Sequence, residues 1–134
     1  MKVIIAGSRS INDQGYLNDI YKAVILSDFI LTEVVSGMAA GVDMLGELYA
    51  VENNIPVARF PADWKNIDVP GAIIKQNMYG KYNAVAGHMR NKEMAEYADA
   101  LIAVWDGKSK GTKNMLTIMK KMKKPVFLYN ISTQ

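Results

Sequence analysis

The most informative stretch of this sequence is Val35-Ser36-Gly37-Met38-Ala39-Ala40-Gly41-Val42-Asp43, a glycine-bearing turn between an apolar run and a helix-like run. A second turn with the same surroundings is Gly107-Lys108-Ser109-Lys110-Gly111-Thr112. The start of a helix leaves backbone N–H groups without intrahelical partners and carries the positive end of the helix dipole. Glycine lets the backbone come close to a ligand. The two turns therefore predict a pocket for a phosphate group.

The composition is that of an ordinary folded domain. The chain has 134 residues, of which 50% are hydrophobic and 22% are charged, so we expect residues 1–134 to form a single domain. Cysteine is absent, which excludes disulfides, thiolate metal sites and cysteine nucleophiles. Every apolar run is shorter than the roughly 20 residues that cross a bilayer. We therefore expect a cytoplasmic protein without a membrane partner.

Short apolar runs rich in Val and Ile alternate with longer segments of helical period. This pattern predicts an α/β fold, a single Rossmann-like doubly wound domain with a mainly parallel sheet of about five strands. The predicted strands are 2–6, 31–35, 56–60, 100–105 and 125–129. The predicted helices are 14–28, 42–53, 88–98 and 112–124.

One connection, from Pro61 to Ala86, is far longer than the usual two to six or so residues. We expect it to form a lid over the pocket or an interface. Its part from Val69 to Met78 is moderately apolar, so it could also form a small helix packed on the core or on another subunit.

Ligands of such sheets bind beyond the carboxyl ends of the strands, so the residues that follow each strand are the candidates. Gly7, Ser8 and Arg9 offer a close backbone approach, a hydroxyl and a guanidinium that can hold phosphate with two hydrogen bonds. The alternative is a plain turn with Arg9 paired to a surface carboxylate.

The turn after the second strand adds small residues at Ser36, Gly37 and Gly41. Asp43 falls in the first turn of the following helix, where it either caps the helix or holds a ribose hydroxyl. Trp64 follows Asp63 beyond the third strand, where it could stack on a base or cover the rim of the core.

Two more groups of residues complete the predicted site. Gly111 and Thr112 begin the last helix and can donate to a phosphate that Lys108 or Lys110 would neutralise. The segment of His88, Arg90 and Asn91 begins the third helix, and we expect all three side chains at the same edge of the sheet.

Several common site types are missing from the sequence. It contains neither a P-loop ending nor a Gly-x-Gly-x-x-Gly fingerprint. With one histidine and no cysteine, we expect no metal and no cofactor, and no catalytic residue is identified.

The last helix carries methionines and lysines that bear on partners. Methionines at 115, 119 and 122 are typical of a core or an interface, so we expect a homo-oligomer. Lysines at 120, 121, 123 and 124 suit the negative end of the helix dipole, with a nucleic-acid patch as the alternative.

Six segments, taken in order, resemble the SLOG superfamily and its YspA-like branch in particular. This superfamily also includes the DNA-processing DprA proteins and the LOG phosphoribohydrolases. The segments are Ile4-Ile5-Ala6-Gly7-Ser8-Arg9, Ser36-Gly37-Met38-Ala39-Ala40-Gly41-Val42-Asp43, Pro61-Ala62-Asp63-Trp64, Ala86-Gly87-His88-Met89-Arg90-Asn91, Ala98-Asp99-Ala100-Leu101 and Gly111-Thr112.

The resemblance implies a Rossmann-like domain that binds nucleotides or nucleotide-derived ligands. The matching pocket positions are Gly7, Ser8, Arg9, Ser36, Gly37, Arg90, Asn91, Gly111 and Thr112. In the LOG enzymes a Pro-Gly-Gly-x-Gly-Thr motif leads into a catalytic glutamate, whereas here Thr112 is followed by Lys113-Asn114-Met115. A carboxylate from the long connection, Asp63 or Asp68, could take the place of that glutamate.

Three functions follow from this sequence. The leading one is a sensor or sequestering module that binds a nucleotide or a nucleotide-derived phosphorylated ligand. The first alternative is an N-glycosidic hydrolase, a phosphoribohydrolase acting on a nucleoside monophosphate. The second is a protein that binds single-stranded nucleic acid.

Overall fold

The computed structural model describes residues 1–131, and a parallel sheet lies at its centre. Its strands are β1 (Lys2–Gly7), β2 (Glu33–Ser36), β3 (Val57–Arg59), β6 (Ala100–Trp105) and β7 (Val126–Asn130). Their order across the sheet is β3-β2-β1-β6-β7, and each neighbouring pair is parallel. The predicted Rossmann-like α/β fold with about five mainly parallel strands is confirmed.

Four helices cover the two faces of the sheet. They are α1 (Leu17–Ser27), which a short 3-10 turn precedes, α2 (Val42–Glu52), α3 (Ala86–Tyr97) and α4 (Lys110–Lys121). The side chains of each strand alternate between the faces, since Val3 and Ile5 pack towards α1 and α2, whereas Ile4 and Ala6 pack towards α3 and α4. Because the central strands β1 and β6 are buried on both faces, their interiors are continuous apolar runs.

The strand order places a topological switch point between β1 and β6. The chain runs outwards from β1 to β2 and β3 on one side, then returns to β6 and continues outwards to β7 on the other. Loops that leave β1 and β6 at the carboxyl edge therefore diverge and leave a crevice between them. This crevice is where the candidate site lies.

The long connection between β3 and α3 contains an antiparallel hairpin, not the small helix that the sequence suggested. Its strands are β4 (Ile74–Asn77) and β5 (Gly80–Asn83), and every residue of β4 is exposed. Buried Asn83 fastens the hairpin, because its backbone N–H donates to the Trp64 carbonyl at 2.7 Å and its Oδ1 accepts from the Val85 N–H at 3.1 Å.

The methionines of α4 lie mostly inside the protein. Met115 and Met119 are buried between α4 and the sheet, and Met122 packs at the edge of the same cluster. These methionines fill the core and are therefore no argument for a subunit interface. The homo-oligomer remains a prediction. Within the part of the chain that the structure describes, none of the helices combines the length and apolar character needed to cross a bilayer.

Candidate anion-binding site at the sheet edge

A cavity of about 280 Å³ opens at the carboxyl edge between β1 and β6. Its walls come from the end of β1, the turn before α2 with the first turn of that helix, the middle of α3, and the start of α4. The lining residues are Ala6, Gly7, Arg9, Ala39, Asp43, Arg90, Asn91, Met94, Ser109, Lys110, Gly111, Thr112 and Met115. Four segments distant in sequence therefore meet in one concave site.

The start of α4 supplies backbone donors to this cavity. Ser109 is the N-cap, and its Oγ accepts from the Thr112 N–H at 3.4 Å and from the Thr112 hydroxyl at 3.0 Å. The backbone N–H groups of Lys110 and Gly111 donate no hydrogen bond within residues 1–131. Two unpaired amides and the positive end of the helix dipole thus border the cavity.

Asp106 shapes the loop that leads into α4. Its Oδ1 accepts from the backbone N–H groups of Lys108 at 2.8 Å and Ser109 at 3.1 Å, and its other oxygen accepts from the Ser10 hydroxyl. The bond from the Lys108 N–H, with smaller contributions from Ser8 and the other donors, lowers the pKa of Asp106 to about 2. A carboxylate that is ionised at neutral pH therefore holds the loop in place.

Arg90 lies at the centre of the site. Its Nη1 donates to the carbonyls of Gly37 and, at 3.3 Å, Phe60, and its Nε donates to Asn91 Oδ1 at 3.0 Å. Burial lowers the pKa of Arg90, and the nearby Arg9 guanidinium lowers it further, whereas Asp43 acts in the opposite direction. The protein thus holds two guanidinium groups close together, which an anionic ligand would stabilise.

Two glycines allow the turn before α2 to close against Arg9 and Arg90. Gly41 has a φ of +82°, and a Cβ there would lie 2.6 Å from the Cα of Arg9. A Cβ on Gly37 would lie 2.6 Å from Nη1 of Arg90 and 2.8 Å from Oδ2 of Asp43. Any larger side chain would push the turn away from the cavity.

Asp43 is a buried carboxylate in the cavity wall. It is 5% exposed, and its Oδ2 accepts from the Ala39 N–H at 3.2 Å. Its side chain thus fastens the turn before α2; the N-cap of α2 is Gly41, without a side-chain bond. Burial raises the pKa of Asp43 to about 6, although the Ala39 N–H, Arg90 and Arg9 favour the charged form.

Two further cavities adjoin the first one through Arg90. One of about 240 Å³ brings Arg9 and Arg90 together with Gly37 and Trp64, whose ring lies over Gly87. The other, of about 190 Å³, is lined by Asp63, Glu93 and Arg90, among others. The predicted residues Asp63 and Trp64 thus border neighbouring spaces, separate from the space at the start of α4.

Three predicted residues stand behind the cavity walls. Ser8 is buried, and its Oγ accepts from the Asp106 N–H at 2.9 Å. Ser36 is also buried, and its hydroxyl donates to Glu47 Oε2 at 2.6 Å. The third residue is Gly41. All three line none of the three cavities around Arg90, and they act by shaping the loops.

The expected position of His88 is wrong. His88 lines a separate apolar groove with Lys92, Ile118, Lys121 and Met122 on the outer side of α3 and α4. Residues two apart on a helix point about 200° away from each other, so His88 and Arg90 cannot share one face. Within residues 1–131, no group of three or more His, Asp or Glu side chains is placed to hold a metal ion.

Sequence reasoning missed several parts of the site. Ser109 has a readable signal, a serine directly before a helix, but the helix begins at Lys110, ahead of the predicted residue 112. Met94 and Met115 form part of the cavity lining, and their sequence pattern is that of ordinary core residues. The Glu47–Arg59 ion pair, with Nη2 to Oε1 at 2.8 Å, supports Ser36 from behind and has no local sequence signature.

The fold and this crevice define a Rossmann-like α/β domain with its candidate site at the switch point. A family model described as "YspA, cpYpsA-related SLOG family" matches residues 1–66. Over these residues the chain is similar to the SLOG family, and the resemblance seen in the sequence is confirmed.

A solved structure extends the likeness of the fold beyond residue 66. DNA processing protein A (DprA) from Streptococcus pneumoniae matches with a TM-score of 0.68 and 20% sequence identity. The match covers 95% of this chain and 49% of that chain, so this chain spans about half the length of the DprA chain. A comparison with curated proteins gave no match.

Proposed function

We propose that the protein binds a nucleotide or a nucleotide-derived phosphorylated ligand at the crevice between β1 and β6, as a sensor or sequestering module. One observation carries the proposal: the Arg9 and Arg90 guanidiniums and the unpaired N–H groups of Lys110 and Gly111 border a single cavity. Such an arrangement offers charge and directed donors to a phosphate group. The SLOG match supports a nucleotide-related or nucleic-acid-related role.

The arrangement of the cavities supports a ligand larger than phosphate. Arg9 and Arg90 line both the cavity at α4 and the neighbouring cavity that contains Trp64. The Trp64 side chain is 42% exposed, so part of its ring is available for stacking. A ligand with its phosphate at α4 can place a base near Trp64.

Titration calorimetry with nucleoside 5′-monophosphates of the four common bases and with ADP-ribose tests this proposal. We expect Arg90→Ala and Arg9→Ala each to weaken binding by at least about 10-fold, because each removes a charge-assisted hydrogen bond. Lys22→Ala, at an exposed position of α1, is the matched control for loss of one positive charge and should bind like the wild type. Failure of every compound to bind, or unchanged affinity in both arginine variants, would overturn the proposal.

The same samples distinguish the two alternative functions. Release of free base from a monophosphate, lost in Arg90→Ala, would establish an N-glycosidic hydrolase. Binding of oligonucleotides with a steep salt dependence, without binding of monophosphates, would establish a nucleic-acid protein. One lysine of the basic patch predicted for nucleic acid is engaged inside the protein. The Lys124 Nζ donates to the carbonyls of Ala95 at 2.6 Å and Ala98 at 2.7 Å and so caps α3.

A further inference from the structure

The Asp43 carboxylate has an unused acceptor inside the cavity. Its Oδ2 accepts from the Ala39 N–H, and its Oδ1 accepts no hydrogen bond within residues 1–131. The side chain is only 5% exposed and forms part of the cavity lining. An ionised carboxylate has about four lone-pair positions, so most of its hydrogen-bonding capacity is open to a bound molecule.

The neighbouring arginines do not satisfy this carboxylate. Within the described part of the chain, the ion pair closer than 4.0 Å is that of Arg59 and Glu47, and neither Arg9 nor Arg90 forms one with Asp43. Among the described residues, every side-chain oxygen that is sealed from solvent has a hydrogen-bond partner, so the free Oδ1 of Asp43 is open to solvent in the cavity. A hydroxyl of a bound ligand can take the place of that solvent.

The cavity therefore has two chemically opposite sides. The start of α4 and the arginines favour an anion, whereas Asp43 repels one and favours a hydrogen-bond donor. A ligand that is anionic throughout would place negative charge against Asp43. A ligand with an ammonium group would place positive charge beside Arg9 and Arg90. A neutral hydroxyl on a phosphorylated molecule avoids both conflicts.

We infer that Asp43 accepts a hydrogen bond from a ring hydroxyl of a phosphorylated sugar whose phosphate lies at the start of α4, so that the site selects ribose over the 2-deoxy or 3-deoxy ligand that lacks this hydroxyl. This inference rests on the proposed function and deepens it, because it names the part of a nucleotide that the cavity of about 280 Å³ recognises. Free sugar phosphates and 5′-nucleotides share this chemistry.

Paired ligands test the inference. The affinities of ribose 5-phosphate and 2-deoxyribose 5-phosphate are measured by calorimetry, together with AMP, 2′-deoxy-AMP and 3′-deoxy-AMP. We expect at least one deoxy compound of a pair to bind about 10-fold or more weakly than its ribose counterpart, the effect of one hydrogen bond to a charged acceptor. The sugar phosphates show whether the base is needed, and the two deoxy-AMP compounds show which hydroxyl is read.

Variants of Asp43 give the second readout, the ratio of ribose to deoxyribose affinity. Asp43→Ala removes the acceptor and should bring the ratio close to one, whereas Asp43→Asn keeps a neutral acceptor of the same shape and should lower the ratio to an intermediate value. A residue that only fastens the turn would weaken ribose and deoxyribose ligands equally and leave the ratio unchanged.

The possible results distinguish failure of the Asp43 inference from failure of the proposed nucleotide-binding function. Equal, Arg90-dependent binding of the ribose and deoxyribose compounds by the wild type would overturn the inference and leave the proposed function standing. An unchanged ratio in both Asp43 variants would also overturn it. Absence of binding by every nucleotide and sugar phosphate would overturn the proposed function itself.

Discussion

At the scale of single residues, Gly41 is the most constrained backbone position of the site. Its positive φ and its close approach to Arg9 both forbid a side chain. We expect Gly41→Ala to lower the free energy of unfolding by more than about 3 kcal/mol, because backbone strain and steric conflict add. Urea denaturation measures this loss.

Gly107 offers a matched control for that prediction. It has a φ of +83°, but a Cβ there would meet no atom within 4 Å. Gly107→Ala should therefore cost only the backbone term, about 1–2 kcal/mol. Equal losses in the two variants would show that the close approach at Gly41 is unimportant.

Asp43 gives a second prediction at this scale, the dependence of stability on pH. Its pKa is about 6 in the folded protein against 3.8 as the ordinary value, so between these values the folded state holds more protons than the unfolded state. Stability from this group is therefore full below about pH 4 and falls as the pH rises through 6. Asp43→Asn should remove that fall and make the ligand-free protein more stable at pH 7 by up to about 3 kcal/mol.

Denaturation of the wild type and Asp43→Asn at pH 4, 5, 6 and 7 measures this effect. The informative quantity is the difference between the two curves, because other carboxylates titrate in both proteins. A difference that does not change with pH would contradict the burial of a charged Asp43.

At the scale of elements, the start of α4 combines a structural cap with a binding surface. Ser109→Ala should destabilise the protein by about 1 kcal/mol through loss of the cap. Ser109→Asp should restore the stability but weaken phosphate-ligand binding, since it adds negative charge at the cavity. Thermal melting and calorimetry measure the two effects, and parallel behaviour of both variants would contradict this division of roles.

The hairpin of β4 and β5 depends on one buried side chain at its base. Asn83→Ala removes acceptors and donors that join the hairpin to the Val85 N–H and to Met89. We expect faster proteolysis and hydrogen exchange within residues 74–83, with little change in the parallel sheet. Asn77→Ala, at the exposed tip, is the control and should leave the base of the hairpin intact.

The sequence predicts some of these elements well for physical reasons. The strand Val3-Ile4-Ile5-Ala6 is buried on both sides, so its apolar run is unmistakable. The hairpin strand Ile74-Lys75-Gln76-Asn77 is exposed and mostly polar, so its sequence shows no alternation of apolar and polar residues.

The site was predictable in part for similar reasons. The glycine turns and Arg9 after β1 predict an anion site at this edge of the sheet, and the predicted helix start at residue 88 adds Arg90. The structure brings Arg9, Arg90 and Gly111 together in one cavity. Ser8 and Ser36 form hydrogen bonds inside the protein instead of lining the cavity. Their partners, Asp106 and Glu47, are distant in sequence, so no local pattern predicts these bonds.

At the scale of the whole molecule, binding should stabilise segments that are far apart along the chain. A saturating phosphorylated ligand should slow hydrogen exchange most after β1, before α2 and at the starts of α3 and α4, while the exposed hairpin, residues 74–83, continues to exchange by local opening at an unchanged rate. Ligand at about 100 times its Kd should raise the free energy of unfolding by about 2.7 kcal/mol. Hydrogen exchange with mass spectrometry tests the pattern, and protection confined to the hairpin would place the ligand elsewhere.

The division of the cavity between two halves of the chain makes the protein suitable for fragment complementation. The exposed hairpin lies between the segment that carries Arg9 and Asp43 and the segment that carries Arg90 and the start of α4. A break at Met78 or Tyr79, 87% and 91% exposed, would leave each piece with one side of the cavity. Ligand affinity would then report reassembly of the two pieces, which turns the molecule into a split reporter.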